Sequence, residues 1–146
     1  MRISTKARYG TRLMLELGLH YEQGPLLLKS IARLEAISEK YLSQIVIPLK
    51  NAGLVNSLRG ARGGYILARP PAQISMREIV EVLEGGISLV DCVKSPASCA
   101  RTSQCVTRSL WANMGQKIIQ VLEEFTLADL VEQCKNKNCK SLVYSI

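Results

Sequence analysis

The chain has 146 residues, of which 47% are hydrophobic, and its 19 Lys and Arg against 12 Asp and Glu give a net charge of +7. This length allows one domain with an extension but not two ordinary domains, and the apolar fraction excludes a disordered chain. The positive charge favours a polyanionic partner, with nucleic acid ahead of an anionic membrane surface.

Two further features of the sequence bear on the compartment. No apolar run reaches the roughly 18–20 residues that span a bilayer, and the first residues lack the apolar core of a signal peptide. We therefore expect a soluble, cytoplasmic protein without membrane contact. Five cysteines, an odd number, favour metal binding or redox sensing over a disulfide framework in a reducing compartment.

Helix caps and apolar spacing predict three helices in the first third of the chain. Ser4 is placed to cap a helix that runs to about Glu22, and a short helix follows that ends near Ala36. Ser38 is placed to cap a third helix, which runs to Ala52. Two short helices joined by a turn of about three residues have the spacing of a helix-turn-helix.

Two strand-like runs, LVNSL and YILAR, follow the third helix and are joined by the segment RGARGG. The glycines of this segment allow the positive φ angles of a hairpin tip, which predicts a β-hairpin with basic residues at its end. Helix, helix and hairpin in this order form the topology of a winged helix.

The second half of the chain is predicted to contain a helix, a loop and two more helices. Ser75 and Glu78 form a capping box for a helix through Leu83, and residues 87–104 show no helical period. Residues 106–125 then carry a broad apolar stripe on a helix ~30 Å long, which is too long for this core to cover. We expect that helix to pair with a second copy of the chain. Thr126 and Asp129 then form a start like a capping box for a last short helix.

The helix-turn-helix and the hairpin tip supply candidate contacts to DNA. The second helix of such a motif enters the major groove, where short or flexible hydrogen-bonding side chains read base edges. At the tip, glycine lets the backbone approach the duplex, and guanidinium groups grip phosphates or enter the minor groove. The candidate contacts are Ser38, Lys40, Tyr41, Ser43 and Gln44 on the helix and Arg59, Gly60 and Arg62 at the tip. Taken alone, the helix residues fit an ordinary solvated helix face equally well. The hairpin tip, taken alone, equally well fits an ordinary turn.

Three of the cysteines, Cys92, Cys99 and Cys105, lie in the predicted loop among Ser, Pro and basic residues. Thiolates are the soft ligands that iron–sulfur clusters and zinc prefer, and a loop can converge them. Their spacing is wider than the C-x2-C pair of zinc ribbons and unlike that of ferredoxins. Nearby Lys and Arg side chains favour thiolate, which suits metal ligation and oxidation equally. Free cysteines packed as small hydrophobes are the alternative, which fits a polar loop poorly.

The segments MRISTKARYG, SEKYLSQIVIPLKNAGLVNSLRGARGGYILA and CVTRSLW resemble the IscR-like iron–sulfur cluster regulators of the Rrf family of winged-helix repressors. The resemblance extends over about residues 1–132, and the wing is its most family-specific part. It implies a homodimer that crosses its long helices, binds palindromic promoter sites and represses genes for cluster assembly or related stress responses. It also implies that the helix and tip residues named above contact DNA, and that the three loop cysteines hold a 2Fe-2S cluster with one further ligand.

The fourth ligand departs from the family pattern. Where the best-matched relatives carry a His three residues after the third cysteine, this chain has Arg108, which stays protonated and cannot ligate. Another branch uses an Asp near the N-terminus of the partner subunit, where this chain reads TKARYG. Cys134 or Cys139 in the polar tail, Asp91, a Glu, water or a small thiol are the candidates that remain. The single histidine, His20, is expected in the first helix as a surface or core residue.

These observations predict a mainly α-helical chain with a small β-hairpin wing. We expect a winged helix-turn-helix domain over 1–84, a cluster-binding loop over 85–105, a dimerisation helix with a short following helix over 106–133, and a C-terminal tail over 134–146. The predicted function is that of a homodimeric transcription repressor that senses iron–sulfur cluster status through a 2Fe-2S cluster.

Three alternatives to this function stay open. The first is a metal-free cysteine redox sensor of the same fold, in which the loop thiols oxidise among themselves. The second is a zinc-stabilised protein-interaction module. The third is a small thiol-dependent enzyme. The sequence argues against it, because it lacks a C-x-x-C motif, a catalytic His–Cys arrangement and a Gly-rich phosphate loop.

Overall fold

The computed structural model describes residues 1–139, which contain seven α-helices and one antiparallel β-hairpin. The elements are α1 (Thr5–Leu19), α2 (Leu28–Glu35), α3 (Glu39–Asn51), β1 (Val55–Leu58), β2 (Gly64–Leu67), α4 (Met76–Glu84), α5 (Asp91–Lys94), α6 (Val106–Glu124) and α7 (Leu127–Asn136). Short 3-10 turns lie at Pro71–Gln73 and Pro96–Ser98. The prediction of a mainly helical chain with a hairpin wing is confirmed. No helix in the described range is both long and apolar enough to cross a membrane.

Side-chain caps begin α1 and α3 at the residues that the sequence predicts. The hydroxyls of Ser4 and Ser38 each accept a hydrogen bond from the main-chain N–H three residues on, at 3.0 and 3.3 Å. α1 ends at Leu19 rather than near Glu22, because the chain turns there and Glu22 adopts a left-handed φ of 64°. Ala36, with a φ of 52°, reverses the chain between α2 and α3 and forms the turn of the helix-turn-helix.

The hairpin is joined to the helix-turn-helix by main-chain hydrogen bonds. Leu26, in the linker before α2, exchanges two N–H···O bonds of 3.0 and 2.8 Å with Tyr65 of β2. A Cβ at Gly64 would lie 2.5 Å from the Leu26 carbonyl oxygen, so this crossing requires glycine. These contacts fix the base of the wing relative to α2.

One hydrophobic core, built around α1, holds the winged-helix part together. Gly10 lets α1 approach α3 and α4 closely, because a Cβ there would lie 2.3 Å from Leu83 and 3.1 Å from Ile45. Removal of apolar side chains from water is the main stabilising contribution of such a core. The fully buried large side chains include Leu13, Met14, Ile31, Leu42, Ile45, Leu49, Leu54, Ile74, Ile79 and Leu127.

α6 lies outside this core over most of its length, and Gly115 is its one buried residue. Its C-terminal end is attached to the start of α4 by two main-chain hydrogen bonds. Met76 donates to the Phe125 carbonyl and Leu127 donates to the Ile74 carbonyl, both at 2.8 Å. The C-terminal end of α6 is therefore fixed to the winged helix, whereas its N-terminal end is connected to the cysteine loop.

Two segments differ from the sequence prediction. The segment 85–105, predicted as a loop, contains α5 and a 3-10 turn, which are too short to show a helical period. α7 begins with the capping box of Thr126 and Asp129 that the sequence indicates, but it continues to Asn136, beyond the predicted limit at residue 133. Its last turn packs on α1, which the polar composition of this stretch does not reveal. The predicted tail is otherwise outside the described residues from position 140 onward.

Candidate DNA interface and cysteine loop

The first turns of α3 leave two of the predicted contact residues exposed to solvent. Lys40 and Gln44 are exposed and lie about one helical turn apart. The Ser38 hydroxyl is exposed but caps α3, and the half-buried Ser43 hydroxyl donates to the Lys40 carbonyl at 2.6 Å. Lys40 and Gln44 are therefore the more direct candidates for reading DNA, because both serine hydroxyls already bond to their own helix.

Tyr41 contributes to the orientation of α3. It is half-buried and packs edge-on against Tyr9 of α1, with ring centroids 5.9 Å apart. Arg12 lies over the Tyr9 ring at 5.5 Å, and its guanidinium donates to the Glu35 carboxylate at 2.5 Å. This chain of contacts joins α1, α2 and α3, so Tyr41 has a structural role besides the predicted contact with DNA.

Ile47 is a further candidate on α3 that sequence reasoning missed. It is 56% exposed and follows Gln44 by three residues and Lys40 by seven, which puts it on the same helix face. An exposed apolar side chain on a recognition helix suits contact with a thymine methyl group. Its signal in the sequence is weak because Ile45 and Val46 beside it are buried core residues.

The tip of the wing is a tight turn built from glycine. Gly60 has a φ of 109°, and Gly63 donates a hydrogen bond to the Gly60 carbonyl at 3.0 Å. A Cβ at Gly63 would lie 2.4 Å from the Leu58 carbonyl oxygen, so glycine is required. Arg59 and Arg62 are exposed on this turn, where their guanidinium groups can reach a phosphate backbone.

The three loop cysteines lie in or beside short local elements. Cys92 is in α5, Cys99 follows the 3-10 turn, and Cys105 is the residue before α6. Cys99 is exposed, and the other two are half-buried. Within residues 1–139, no three His, Cys, Asp or Glu side chains form a group that could hold a metal ion. The three cysteines therefore lie on one surface segment, but their side chains are not grouped closely enough to share a metal ion.

Cys105 has the surroundings of a reactive thiol. Its Sγ lies 3.2 Å from Thr107 Oγ1, in the first turn of α6. The hydrogen bond with Thr107, and after it one from the Arg108 main-chain N–H, lowers the pKa of Cys105 below its ordinary value. A lower pKa gives a larger thiolate fraction at neutral pH, and thiolate is the form that binds metals and reacts with oxidants.

Arg108 stands where a ligand is expected and ties the loop together instead. Its Nε donates a hydrogen bond to the Cys92 carbonyl at 3.0 Å, which joins α5 to the first turn of α6. At the other end of the loop, Lys94 Nζ donates to the Gly85 carbonyl at 3.0 Å. Arg108 therefore keeps the segment that bears Cys92 beside the helix that Cys105 precedes.

The remaining candidates for a fourth ligand are spread over the molecule. Cys134 is buried in α7 rather than lying in a polar tail, and Cys139 lies beside it. His20 Nδ1 is 2.9 Å from a main-chain carbonyl oxygen of α1. Asp91 is exposed at the start of α5 and is the one of Asp91, Cys134 and Cys139 that lies on the cysteine loop.

Comparison with known proteins assigns these features to a family. The family model of Rrf2, described as iron-dependent transcriptional regulator, matches residues 3–133. The chain is 45% identical over 130 residues, 89% of each chain, to the HTH-type transcriptional regulator CymR of Bacillus subtilis strain 168. The structure of that CymR, described as the global cysteine regulator of B. subtilis, gives a TM-score of 0.76 at 44% identity and covers 91% of this chain and 98% of its own. The structure of T. potens IscR gives a TM-score of 0.76 at 40% identity, with 92% and 88% covered.

The matched range includes the helix-turn-helix, the wing, the cysteine loop and all of α6. CymR is named as a transcriptional regulator, and the identity of CymR and of T. potens IscR to this chain extends over most of both sequences. The chain therefore belongs to the Rrf2 family of winged-helix, DNA-binding transcriptional regulators and is not an enzyme.

Proposed function

We propose that this regulator is a homodimeric repressor that binds a palindromic promoter operator and senses iron–sulfur cluster status through a 2Fe-2S cluster on Cys92, Cys99 and Cys105. Under this proposal its target genes are those of cluster assembly. The observation that carries the proposal is the position of the three thiols, on the segment that joins the winged helix to α6. The likeness to T. potens IscR at 40% identity supports it.

The donor set fits a 2Fe-2S cluster by its chemistry. Cysteine thiolates are the usual ligands of such clusters, and the lowered pKa of Cys105 increases its thiolate fraction. Because the three cysteines do not converge in the described conformation, ligation requires the segment 92–105 to close. When bound, the cluster supplies a redox-active centre whose potential depends on nearby hydrogen bonds and charges.

The position of the cysteine loop would allow a change in its conformation to affect the winged helix that binds DNA. Both tethers hold α5: Lys94 donates a hydrogen bond to Gly85 at the end of α4, and Cys92 accepts one from Arg108 of α6. α6 is attached at its far end to the start of α4, so both ends of this path meet the winged helix. A closed loop and an open loop would therefore hold α6 differently relative to the winged helix, which makes the loop a two-state element.

The exposed face of α6 supports the dimer. Its unpartnered apolar side chains recur at helical spacing on one side, which suits pairing with the same face of a second chain. These side chains are Val106, Leu110, Met114 and Val121, with Phe125 at the end of the helix. In such a dimer the position of α6 sets the separation of the two recognition helices, which must match half-sites ~34–36 Å apart.

In this proposal α3 enters the major groove, and the wing contacts the phosphate backbone or the minor groove. Exposure of Lys40, Gln44 and both wing arginines supports these contacts. The proposed contact residues are Ser38, Lys40, Tyr41, Ser43 and Gln44 in α3 and Arg59, Gly60 and Arg62 in the wing.

A metal-free thiol sensor of the same fold is the second candidate, and a specific observation favours it. Arg108 replaces the expected fourth ligand, and within residues 1–139 no group of side chains is assembled to hold a metal. The 45% identity to CymR, whose structure is described as that of a global cysteine regulator, points the same way. In this case the loop thiols would oxidise among themselves and change the order of the loop without iron.

Anaerobic purification followed by iron and sulfide analysis separates the candidates. The cluster proposal predicts a brown protein with about two irons and two sulfides per chain, the content of a 2Fe-2S centre. Cys92→Ser should lose that iron, whereas Ser103→Ala, at an exposed non-ligand position on the same loop, should keep it. A colourless protein that takes up no iron on reconstitution contradicts the cluster, and zinc in the same sample indicates a zinc-stabilised module.

A further inference from the structure

Outside the cysteine loop, the structure brings two more thiols together at the end of α7. α7 ends at Asn136, and the next residues fold back over its last turn. Lys137 donates to the Gln133 carbonyl at 3.0 Å, and Asn138 donates to the Lys135 carbonyl at 3.2 Å. Asn138 has a left-handed φ of 51°, a conformation that Asn tolerates and that reverses the chain at a helix end.

This reversal returns Cys139 to the last turn of α7, where it meets Cys134. The Cys139 thiol lies near enough to Cys134 to influence the ionisation of that thiol. They also line one small cavity of about 170 Å³, together with Leu19, Lys135 and Asn138. The contact is local, and it depends on the left-handed residue at position 138.

The two thiols differ in accessibility. Cys139 is exposed, whereas Cys134 is 6% exposed and packs with Leu19 and Val131. Burial first, and then the neighbouring Cys139 thiol, raises the pKa of Cys134 to about 11. The carboxylates of Glu16 and Glu35 act in the same direction. A reagent from solvent therefore reaches the exposed Cys139 thiol before the buried Cys134 thiol.

We propose that Cys134 and Cys139 form a dithiol site that closes to an intramolecular disulfide on reaction with a low-molecular-weight disulfide. The site is separate from the cluster loop and does not depend on a cluster being bound. Oxidation of the site would place a disulfide at the end of α7, the helix that packs on α1 of the winged helix.

The reaction proceeds in two exchange steps. The Cys139 thiolate attacks one sulfur of the small disulfide, forms a mixed disulfide with it and expels the other half as a thiolate. Cys134 then loses its proton to water and attacks the Cys139 sulfur, which expels the second small thiolate. Two cysteine thiols and one small disulfide thus become one protein disulfide and two small thiols. Two electrons pass from the protein to the small disulfide.

Peptide mapping of the full chain tests this proposal. Reduced protein is incubated anaerobically with oxidised glutathione, its free thiols are blocked with N-ethylmaleimide, and it is digested with trypsin. Lys135 and Lys137 lie between the two cysteines, so trypsin separates them unless a disulfide joins their peptides. We expect most of the protein to yield this linked pair of peptides, and dithiothreitol to release it.

Two variants and one altered background sharpen the result. Cys134→Ala should trap glutathione on Cys139, because the second exchange step is lost. Cys139→Ser changes an exposed side chain and should leave Cys134 unmodified, which tests the order of attack even where Cys134→Ala fails to fold. The same linked peptides should form in a chain with Ser at positions 92, 99 and 105, which cannot hold the proposed cluster.

Three outcomes would overturn the proposal. The first is wild-type protein in which glutathione stays on Cys139 while Cys134 is free. The second is a disulfide from Cys139 to a loop cysteine. The third is a linked pair that forms in the wild type but not in the three-serine background, because the reaction would then depend on the cysteine loop.

Discussion

Single side chains determine how firmly the cysteine loop is held. Arg108 cannot serve as a ligand, but its hydrogen bond to the Cys92 carbonyl joins the two halves of the proposed cluster site. A hydrogen bond of this kind contributes about 1 kcal/mol, which corresponds to roughly a fivefold change in an equilibrium. The arginine is therefore interpreted as a positioning residue for the cluster ligands.

The first prediction concerns this tether. Arg108→Ala should release iron to a chelator roughly fivefold faster than the wild type, because one loop hydrogen bond is lost. Arg101→Ala, an exposed arginine on the same loop, is the matched control and should release iron at the wild-type rate. Iron release is followed by the loss of visible absorbance. Equal rates in both variants would show that Arg108 has no positioning role.

The second prediction concerns the reactivity of Cys105. Thr107→Val removes the hydrogen bond that contributes most to the lowered pKa of this thiol, so its pKa should rise and its thiolate fraction at neutral pH should fall. Alkylation of Cys105 in cluster-free protein should then slow at neutral pH and recover at higher pH. Thr107→Ser keeps the hydroxyl and should react as the wild type does. A pH profile that is identical in all three proteins would rule out the role of Thr107.

At this scale the sequence identifies which residue types can ligate but not how they are placed. The cysteine spacing and the departure at Arg108 are visible in the sequence. The burial of Cys134 is not, because it depends on packing of α7 against α1, and a polar stretch of sequence carries no sign of that contact. Ile47 is missed because an apolar residue beside core residues in the sequence is interpreted as a core residue, although its side chain is exposed.

Whole elements follow from local signals wherever caps and turns define them. The capping boxes of α4 and α7 form at the residues that the S-x-x-E and T-x-x-D spacings indicate, because both partners lie within one turn. α5 is not predictable in this way. It is a single turn, and the hydrogen bond from Arg108, sixteen residues away, joins it to α6.

The third prediction concerns the wing as an element. Arg62→Ala should weaken binding to specific and non-specific duplexes alike, because a phosphate contact carries no sequence information. It should also reduce the slope of log affinity against log salt by about one unit. Lys137→Ala removes the same charge at the distant end of α7 and should leave the slope unchanged. An unchanged slope in Arg62→Ala would contradict the proposed contact.

The proposed dimer connects the elements at the scale of the whole molecule. α6 exposes large apolar side chains that no other element in residues 1–139 covers. A ~30 Å helix with such a face is expected to pair, because exposed apolar surface is removed from water in the pair. The sequence indicates this face by its periodicity, but neither the sequence nor one chain gives the crossing angle, which depends on both partners.

The fourth prediction tests this interface. Leu110 is 52% exposed on the apolar face, and Leu110→Glu would place a charge against the partner helix. We expect this variant to sediment as a monomer at concentrations where the wild type is a dimer, and to lose operator affinity with it. Gln116→Glu introduces the same charge on another side of α6 and should remain dimeric. Dimers of equal stability in both variants would place the interface elsewhere.

Occupancy of the three loop cysteines by a cluster should change operator binding. The most direct test of this effect is a comparison of anaerobically prepared cluster-loaded and cluster-free protein on the DNA upstream of the chain's own gene, by fluorescence anisotropy at fixed salt. We expect different affinities for the two forms. Cys92→Ser should bind as the cluster-free form does, whether or not iron and sulfide are supplied. Equal affinities of the two forms, with a cluster shown to be present in one, would contradict this expectation.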